Sequence, residues 1–455
     1  MQRFFQYLML GLGVLLVAYV GFVAVVRLRG PSAEQRAALE LMRQPTPPVR
    51  GKDGSDALWL LSHDVPAANA SEAARQLRDY HERFNALMNE GQVAAANALT
   101  NPLSAYREFP KPAGNAHLCE LNEPGCLAKV GADLEAVQRE LEPFQGAIAA
   151  ANEMLRHDGL RWNRRPGVYQ ALPAYNTHRS VVFSQLAWRF ASGEQQPAMA
   201  ATCDDIAAWR RLGSDNDMLI GSMVGAAYLR QDLGLLAEML AEMPADTDLP
   251  PNCREALAPT QDKELDLCPA LRSEFRVLEA TLADGAMVGK SLPERIGFQT
   301  IHQEHLLSIS AVQLARYCAA SALRTAKQDR AVVAGPDSGH GCTGVWRSAD
   351  PIGCLFAEMA SSQGMANYVN RRTDLAAALA LMRTVLWLRV QSPDPTSWPG
   401  LLRQRPAALG LRRQPTINAD ASRITIPLLD PSRDAEFSLA LQTAGLSAAS
   451  SATTD

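Results

Sequence analysis

The chain has 455 residues, 47% apolar and 20% charged, with a formal net charge of -4. That apolar content can fill a sizeable core, which excludes wholesale disorder. The slightly acidic balance excludes a globally basic nucleic-acid binder, and 30 Gly with 28 Pro is too little for a collagenous or low-complexity chain.

Residues 1–6 read as a short N-terminal tail. Tyr7 to Val26 (YLMLGLGVLLVAYVGFVAVV) is an uncharged apolar run of 20 residues. As a helix rising ~1.5 Å per residue it matches the ~30 Å hydrocarbon core of a bilayer. A cleaved leader has a shorter apolar region and a small-residue cleavage site. This run is longer and ends in Val-Val-Arg-Leu-Arg, so it reads as a retained signal-anchor and the lipid bilayer as its partner. Residues 27–54 then read as a tether. A short helix Ser32 to Arg43 is followed by Pro45, Pro47, Pro48, Gly51 and Gly54, which suits a semi-rigid spacer.

Residues 55–395 read almost wholly as helix. Ser71 opens a helix to Asn89 as a capping residue. Between 130 and 157 the apolar positions Leu134, Val137, Leu141, Phe144, Ile148, Ala151 and Leu155 step by 3-4-3-4-3-4, with Pro143 and Gly146 predicting a kink or two helices. Four helices follow: Asn176 to Ala191, Pro197 to Leu212, Asp217 to Leu229 and Asp232 to Met243. The short links LGSDND and RQD favour antiparallel neighbours in a helical-hairpin bundle or solenoid-like domain. No second copy at a period of about 34 residues is present, so no repeat is assigned. A long helix is predicted from Phe298 to Lys327, and another from Thr373 to Val390 capped by Thr373-Asp374. Residues 396–446 form a small α+β element, in which Ser422-Arg-Ile-Thr-Ile-Pro-Leu and Glu436-Phe-Ser-Leu-Ala-Leu read as a β-hairpin. The small polar residues 447–455 read as a disordered tail. The expected fold is therefore mainly α: one transmembrane helix, a disulfide-held helical domain and a C-terminal β-hairpin.

Eight cysteines are present: Cys119, Cys126, Cys203, Cys253, Cys268, Cys318, Cys342 and Cys354. Six sit as near neighbours around turn residues, suggesting Cys119 with Cys126, Cys253 with Cys268 and Cys342 with Cys354. Cys203 and Cys318 remain to staple one helix to another. No CxxC and no zinc-finger Cys/His spacing occurs. Disulfides persist in oxidising compartments. They outweigh the positive-inside count, in which Arg27, Arg29, Arg36 and Arg43 follow the span. The expected location is a bacterial inner membrane, single-pass, with the bulk of the chain in the periplasm.

Signals for chemistry are few. His302 and His305 bracket Gln303-Glu304 at i, i+3 on one helix face, but the metalloprotease pattern is H-E-x-x-H at i, i+4. Gly285-Ala-Met-Val-Gly289-Lys290-Ser291 has three residues between its glycines where a phosphate loop has four, and follows a helix rather than a strand. Ser338-Gly339-His340 lacks the strand-to-helix elbow of a nucleophilic serine. No cofactor, metal ligand set or catalytic residue is assigned. The segment from Arg371 to Arg433 holds ten Arg against four acids, a charge excess that a solvated surface carries by default. The expectation is a binding or scaffold module of the cell envelope with an unidentified envelope protein partner and no nucleic acid. The alternative is an atypical hydrolase acting on lipid or peptidoglycan through His302, Glu304, His305 or His340.

Overall fold

A computed structural model describes residues 2–112, 116–121, 123–161, 169, 171–175, 178–283, 301–333, 342, 344–359, 362–430 and 434–442. The Gly285–Ser291 segment, Ser338-Gly339-His340 and the tail from Ser447 lie outside them. The protein is mainly helical, with one small antiparallel sheet near the C-terminus.

Helix α1 (Gln2–Arg27) contains the apolar run and absorbs most of the N-terminal tail. Its described side chains are exposed as far as Phe22, Val23 is half-buried, and Val26 in the last turn is buried. Such a helix satisfies its own backbone, the condition for crossing lipid. Helix α2 (Ala33–Arg43) starts at Ser32 in a capping box: Ser32 Oγ accepts the Gln35 N–H, and Gln35 Oε1 accepts the Ser32 N–H. The stretch read as a spacer is in fact docked on the domain. Ala38, Leu39 and Met42 are buried, and Arg43 pairs with Glu279 at 2.7 Å. Burying Leu39 and Met42 contributes roughly 1.5–3 kcal/mol each. Pro and Gly mark irregular backbone there, while the amphipathic face of α2 decides the contact.

Next come α3 (Ser55–Leu60) and α4 (Ala70–Asn89). Ser71 lies inside the first turn of α4, because a 3₁₀ turn over Ala67–Asn69, set by Pro66, brings the helix in earlier. Around Pro143 the chain breaks as its residues dictate, into α5 (Cys126–Gly131), α6 (Leu134–Leu141), a 3₁₀ turn at Glu142–Phe144 and α7 (Gln145–Met154).

The centre of the domain is α8 (Arg179–Ala191), α9 (Gln195–Ser214) and α10 (Leu219–Ala241). The sequence suggested two helices with a turn at Arg230-Gln231-Asp232. Instead α10 runs through it without a break. None of those residues breaks a helix, and Asp232 is fully buried between Leu229 and Leu233 because it has a cationic partner.

Helices α11 (Cys268–Ala283), α12 (Gln303–Ala315) and α13 (Ala320–Lys327) follow. The single helix expected up to Lys327 is bent by 40° at Arg316–Cys318. After the short α14 (Val345–Ala349) and α15 (Pro351–Met359) comes α16 (Ser362–Gln391). Thr373 and Asp374 lie in the interior of α16 and cap nothing. Asp374 instead accepts the Leu429 and Asp430 N–H groups and pairs with Arg413. Strands β1 (Thr416–Ile417), β2 (Arg423–Pro427) and β3 (Glu436–Ala440) form a three-stranded antiparallel sheet in that order. The hairpin pairs Ile424 with Leu439 and Ile426 with Phe437. β1 was not foreseen; it pairs only with Thr425 and Ile424, so Pro427 sits beyond its reach.

Two main cores result. The larger joins α5–α10, the C-terminal part of α16 and the sheet. The second joins α2, α11, α12 and the start of α16. Cys119 and Cys126 are bonded as expected, with Cα atoms 5.4 Å apart. Cys253 and Cys268 are not bonded to each other. Cys203 joins Cys253 and Cys268 joins Cys318, each across 50 residues, with Cα separations of 5.0 and 4.9 Å. Cys342 and Cys354 are both buried in the second core.

Candidate functional site

Among the described residues, two buried polar clusters combine groups that could carry chemistry. The first contains the expected histidines. His302 is the N-cap of α12, and its Nδ1 accepts the His305 N–H at 3.1 Å. His305 is 4% exposed, and its Nδ1–H donates to Asp350 Oδ2 at 3.1 Å. The other carboxylate oxygen, Oδ1, accepts the Gly353 N–H at 3.0 Å, so Asp350 also caps α15. A Cβ on Gly353 would lie 2.3 Å from Asp350, so only glycine allows this approach. Trp346 stacks flat on the His305 ring, with centroids 3.7 Å apart and planes 11° apart. Burial pushes the His302 imidazole below its ordinary value, with the Asp350 charge opposing. Glu304 is exposed in the first turn of α12, where a carboxylate favours the helix dipole. It does not join the pair, and His340 lies outside the described residues. A carboxylate that fixes one imidazole nitrogen is half of an acid–base device. Here the ring face is covered by indole and the acid is engaged in capping.

The second cluster was missed from the sequence. Arg179, the first residue of α8, sends its guanidinium to Asp205 on α9 and Asp232 on α10. The three side chains are 4%, 3% and 0% exposed. Each facing helix supplies an acid and an aromatic at i, i+4: Asp205 with Trp209, and Tyr228 with Asp232. The guanidinium carbon lies 4.9 Å from the Tyr228 ring centre, and Trp209 meets Tyr228 edge-on at 4.8 Å. Arg179 is held above its ordinary value by the two carboxylates, which outweigh burial. Asp232 is pushed well above its ordinary value by burial, with Asp205 adding to the push against the pull of Arg179. One guanidinium between two carboxyl groups leaves one negative charge in excess, which favours the protonated form of Asp232.

Beside this centre a cavity of about 20 Å³ is bounded by His178, Arg179, Trp209 and Tyr175, a space that suits one water molecule. Both nitrogens of His178, Arg179 Nε and Trp209 Nε1 are buried without a hydrogen-bond partner among the described residues. On the outer side of Leu155 and Val182 runs an open groove of about 450 Å³. Arg156, Arg189 and Arg211 line it together with Asp204, Asp205 and Glu255. Asp205 Oδ1 is buried without a hydrogen-bond partner among the described residues, and its carboxyl group lies against that of Asp232. The signal available in the sequence was Asp232 itself, an acid inside an unbroken apolar run (AAYLRQDLGLLAEML).

No group of three or more His, Cys, Asp or Glu among the described residues is arranged to hold a metal ion. The arginine excess of the C-terminal segment is largely consumed internally. Arg371 pairs with Asp430, Arg413 with Asp329 and Asp374, and Arg389 donates to the Met243 and Pro244 carbonyls. Comparison with known proteins finds no matching family model, curated sequence or solved structure.

Proposed function

We propose that the chain is a binding module of the bacterial cell envelope, anchored in the inner membrane by α1 with its helical domain in the periplasm. The apolar, outwardly exposed α1 and the disulfides favour this location. The ligand is a short segment of an envelope protein partner lying in the groove over α7, α8 and α9. A groove of about 450 Å³ is in the size range of a ligand site. Its mixed lining of guanidinium and carboxylate groups suits a chain carrying both charges. The observation that carries the reading is the groove lining, in which Arg156, Arg189 and Arg211 stand with Asp204 and Glu255 around an open volume of about 450 Å³, a set of charges that a short polypeptide of both signs would engage.

The alternative, a hydrolase acting on lipid or peptidoglycan, is favoured by the His305–Asp350 bond alone. The stacking of Trp346 and the capping role of Asp350 account for that bond without catalysis.

The test is a photo-cross-linking residue at Asn152, which is exposed in the groove wall, with Val390 on a remote exposed surface as control. In intact cells the Asn152 position should give a defined adduct that the Val390 position does not. Equal, diffuse labelling at both positions would refute the groove as the binding site.

A further inference from the structure

Helix α14 is bonded to the anchor in an informative way. The last carbonyls of any helix lack intrahelical partners. Here the Ser348 carbonyl accepts the Tyr19 hydroxyl at 2.8 Å, and the Ala349 carbonyl accepts an N–H of Arg27 at 3.3 Å. Both donors belong to α1. They are eight residues apart, so their Cα atoms are separated by ~12 Å along the helix axis. The C-terminal end of α14 therefore lies beside the last two turns of α1. The apolar run of α1 ends at Val26 and Arg27 begins the polar side. In a bilayer that level is the boundary between acyl chains and headgroups. On the acyl-chain side of that boundary water is scarce, and a carbonyl there needs a partner supplied by protein.

The adjoining surface of α14 and α15 carries exposed apolar side chains. On α15, Ile352 and Phe356 pack partly against the second core and Leu355 points outward from it. Leu355 is 54% exposed and Val345 on α14 is 42% exposed. Trp346, half-buried beside them, is the residue type most favoured at a membrane–water boundary. A short apolar face lying in the plane of the interface is a monotopic contact.

We infer that α14 and α15 rest in the headgroup layer of the lipid bilayer beside α1, so that the second core sits on the membrane. This rests on the reading of α1 as a membrane span. The consequence is a domain whose groove is held at fixed height and orientation over the bilayer.

The experiment uses the full chain reconstituted in phosphatidylcholine vesicles with and without brominated acyl chains, reading tryptophan emission. Helix α1 contains no Trp, and the chain has seven in all. Bromolipid should quench a component of the wild-type emission of up to about one-seventh. Trp346→Phe should lose that component, and adding Leu355→Trp to Trp346→Phe should restore it. Equal quenching of the wild type and Trp346→Phe, with no gain on Leu355→Trp, overturns the inference. Carbonate extraction of the same vesicles separates the two readings. A chain retained in the pellet without Trp346 quenching refutes only the interfacial contact, whereas a chain released to the supernatant refutes the span and the contact together.

Discussion

Replacing Arg179 by Ala tests the buried ionic centre directly. The guanidinium is the only cation bonded to Asp205 and Asp232 among the described residues, and the carboxylates are 3% and 0% exposed. Without it, the Asp205–Asp232 pair stays buried with its negative charge uncompensated. Breaking a buried pair by removing one partner costs about 3–5 kcal/mol, because the remaining charge is uncompensated. In a cooperative unit of 150–250 residues that lowers the melting temperature by roughly 6–20 °C. The assay is thermal unfolding of the full chain in detergent at pH 7 without reductant, followed by far-UV circular dichroism. Arg179→Lys should fall between, since one ammonium lacks the fork that reaches both acids. Arg179→Met combined with Asp205→Leu and Asp232→Leu should lose less than Arg179→Ala, because no charge is left behind. The cost of Arg179→Ala should also shrink at acid pH, where the carboxylates take up protons. An Arg179→Ala protein that unfolds within about 1 kcal/mol of wild type at pH 7 would refute the assignment of this centre as charge-compensated.

Asp232 titrates above its ordinary value of 3.8 in the folded chain, so the folded state holds a proton that the unfolded state releases. Its contribution is complete below 3.8 and declines as pH rises towards the folded value. Relative to Asp232→Asn, which cannot titrate, the wild type should lose stability as pH increases through that window; parallel melting curves of the two across pH 4–8 would contradict this. Arg372 is 3% exposed and forms no ion pair among the described residues, and burial lowers it to about 10. Arg372→Met should therefore raise the free energy of unfolding, by about 1–3 kcal/mol, and a clear loss of stability would show that the guanidinium is compensated. Removing the Cys203–Cys253 bond with paired Ser substitutions should cost about 4 kcal/mol, the closure entropy of its 50-residue loop. Peptide mapping without reductant should recover Cys203 with Cys253 and Cys268 with Cys318; a Cys253–Cys268 peptide would contradict the fold.

Sequence pattern showed the helical class, the apolar α1, the break at Pro143 and the β2–β3 hairpin, because each depends on local periodicity or on a residue with a fixed backbone preference. What it obscured depends on tertiary partners. Asp232 reads as a turn residue until Arg179, 53 positions away, is known to face it. Asp374 reads as a helix cap until Arg413 and the backbone of Leu429 reach it. The bend at Arg316–Cys318 contains neither Pro nor Gly, and its cysteine is tied to the start of α11. His302 and His305 were visible as a pair, but Asp350 was not connected to them, since it enters from 45 residues downstream. β1 is only two residues long and has no period of its own.

The pairing of the cysteines bears on how the chain matures. Along the polypeptide, Cys119 is followed by Cys126, Cys203 by Cys253 and Cys268 by Cys318, and each is bonded to that next thiol. A chain threaded N-terminus first through an export channel would meet an oxidant with each correct mate arriving as the next sulfur to emerge. The native set then forms in the order of emergence, with no shuffling through mixed intermediates. Cells lacking a disulfide isomerase but retaining an oxidase should therefore yield the same three links, and scrambled links in such cells would rule this route out.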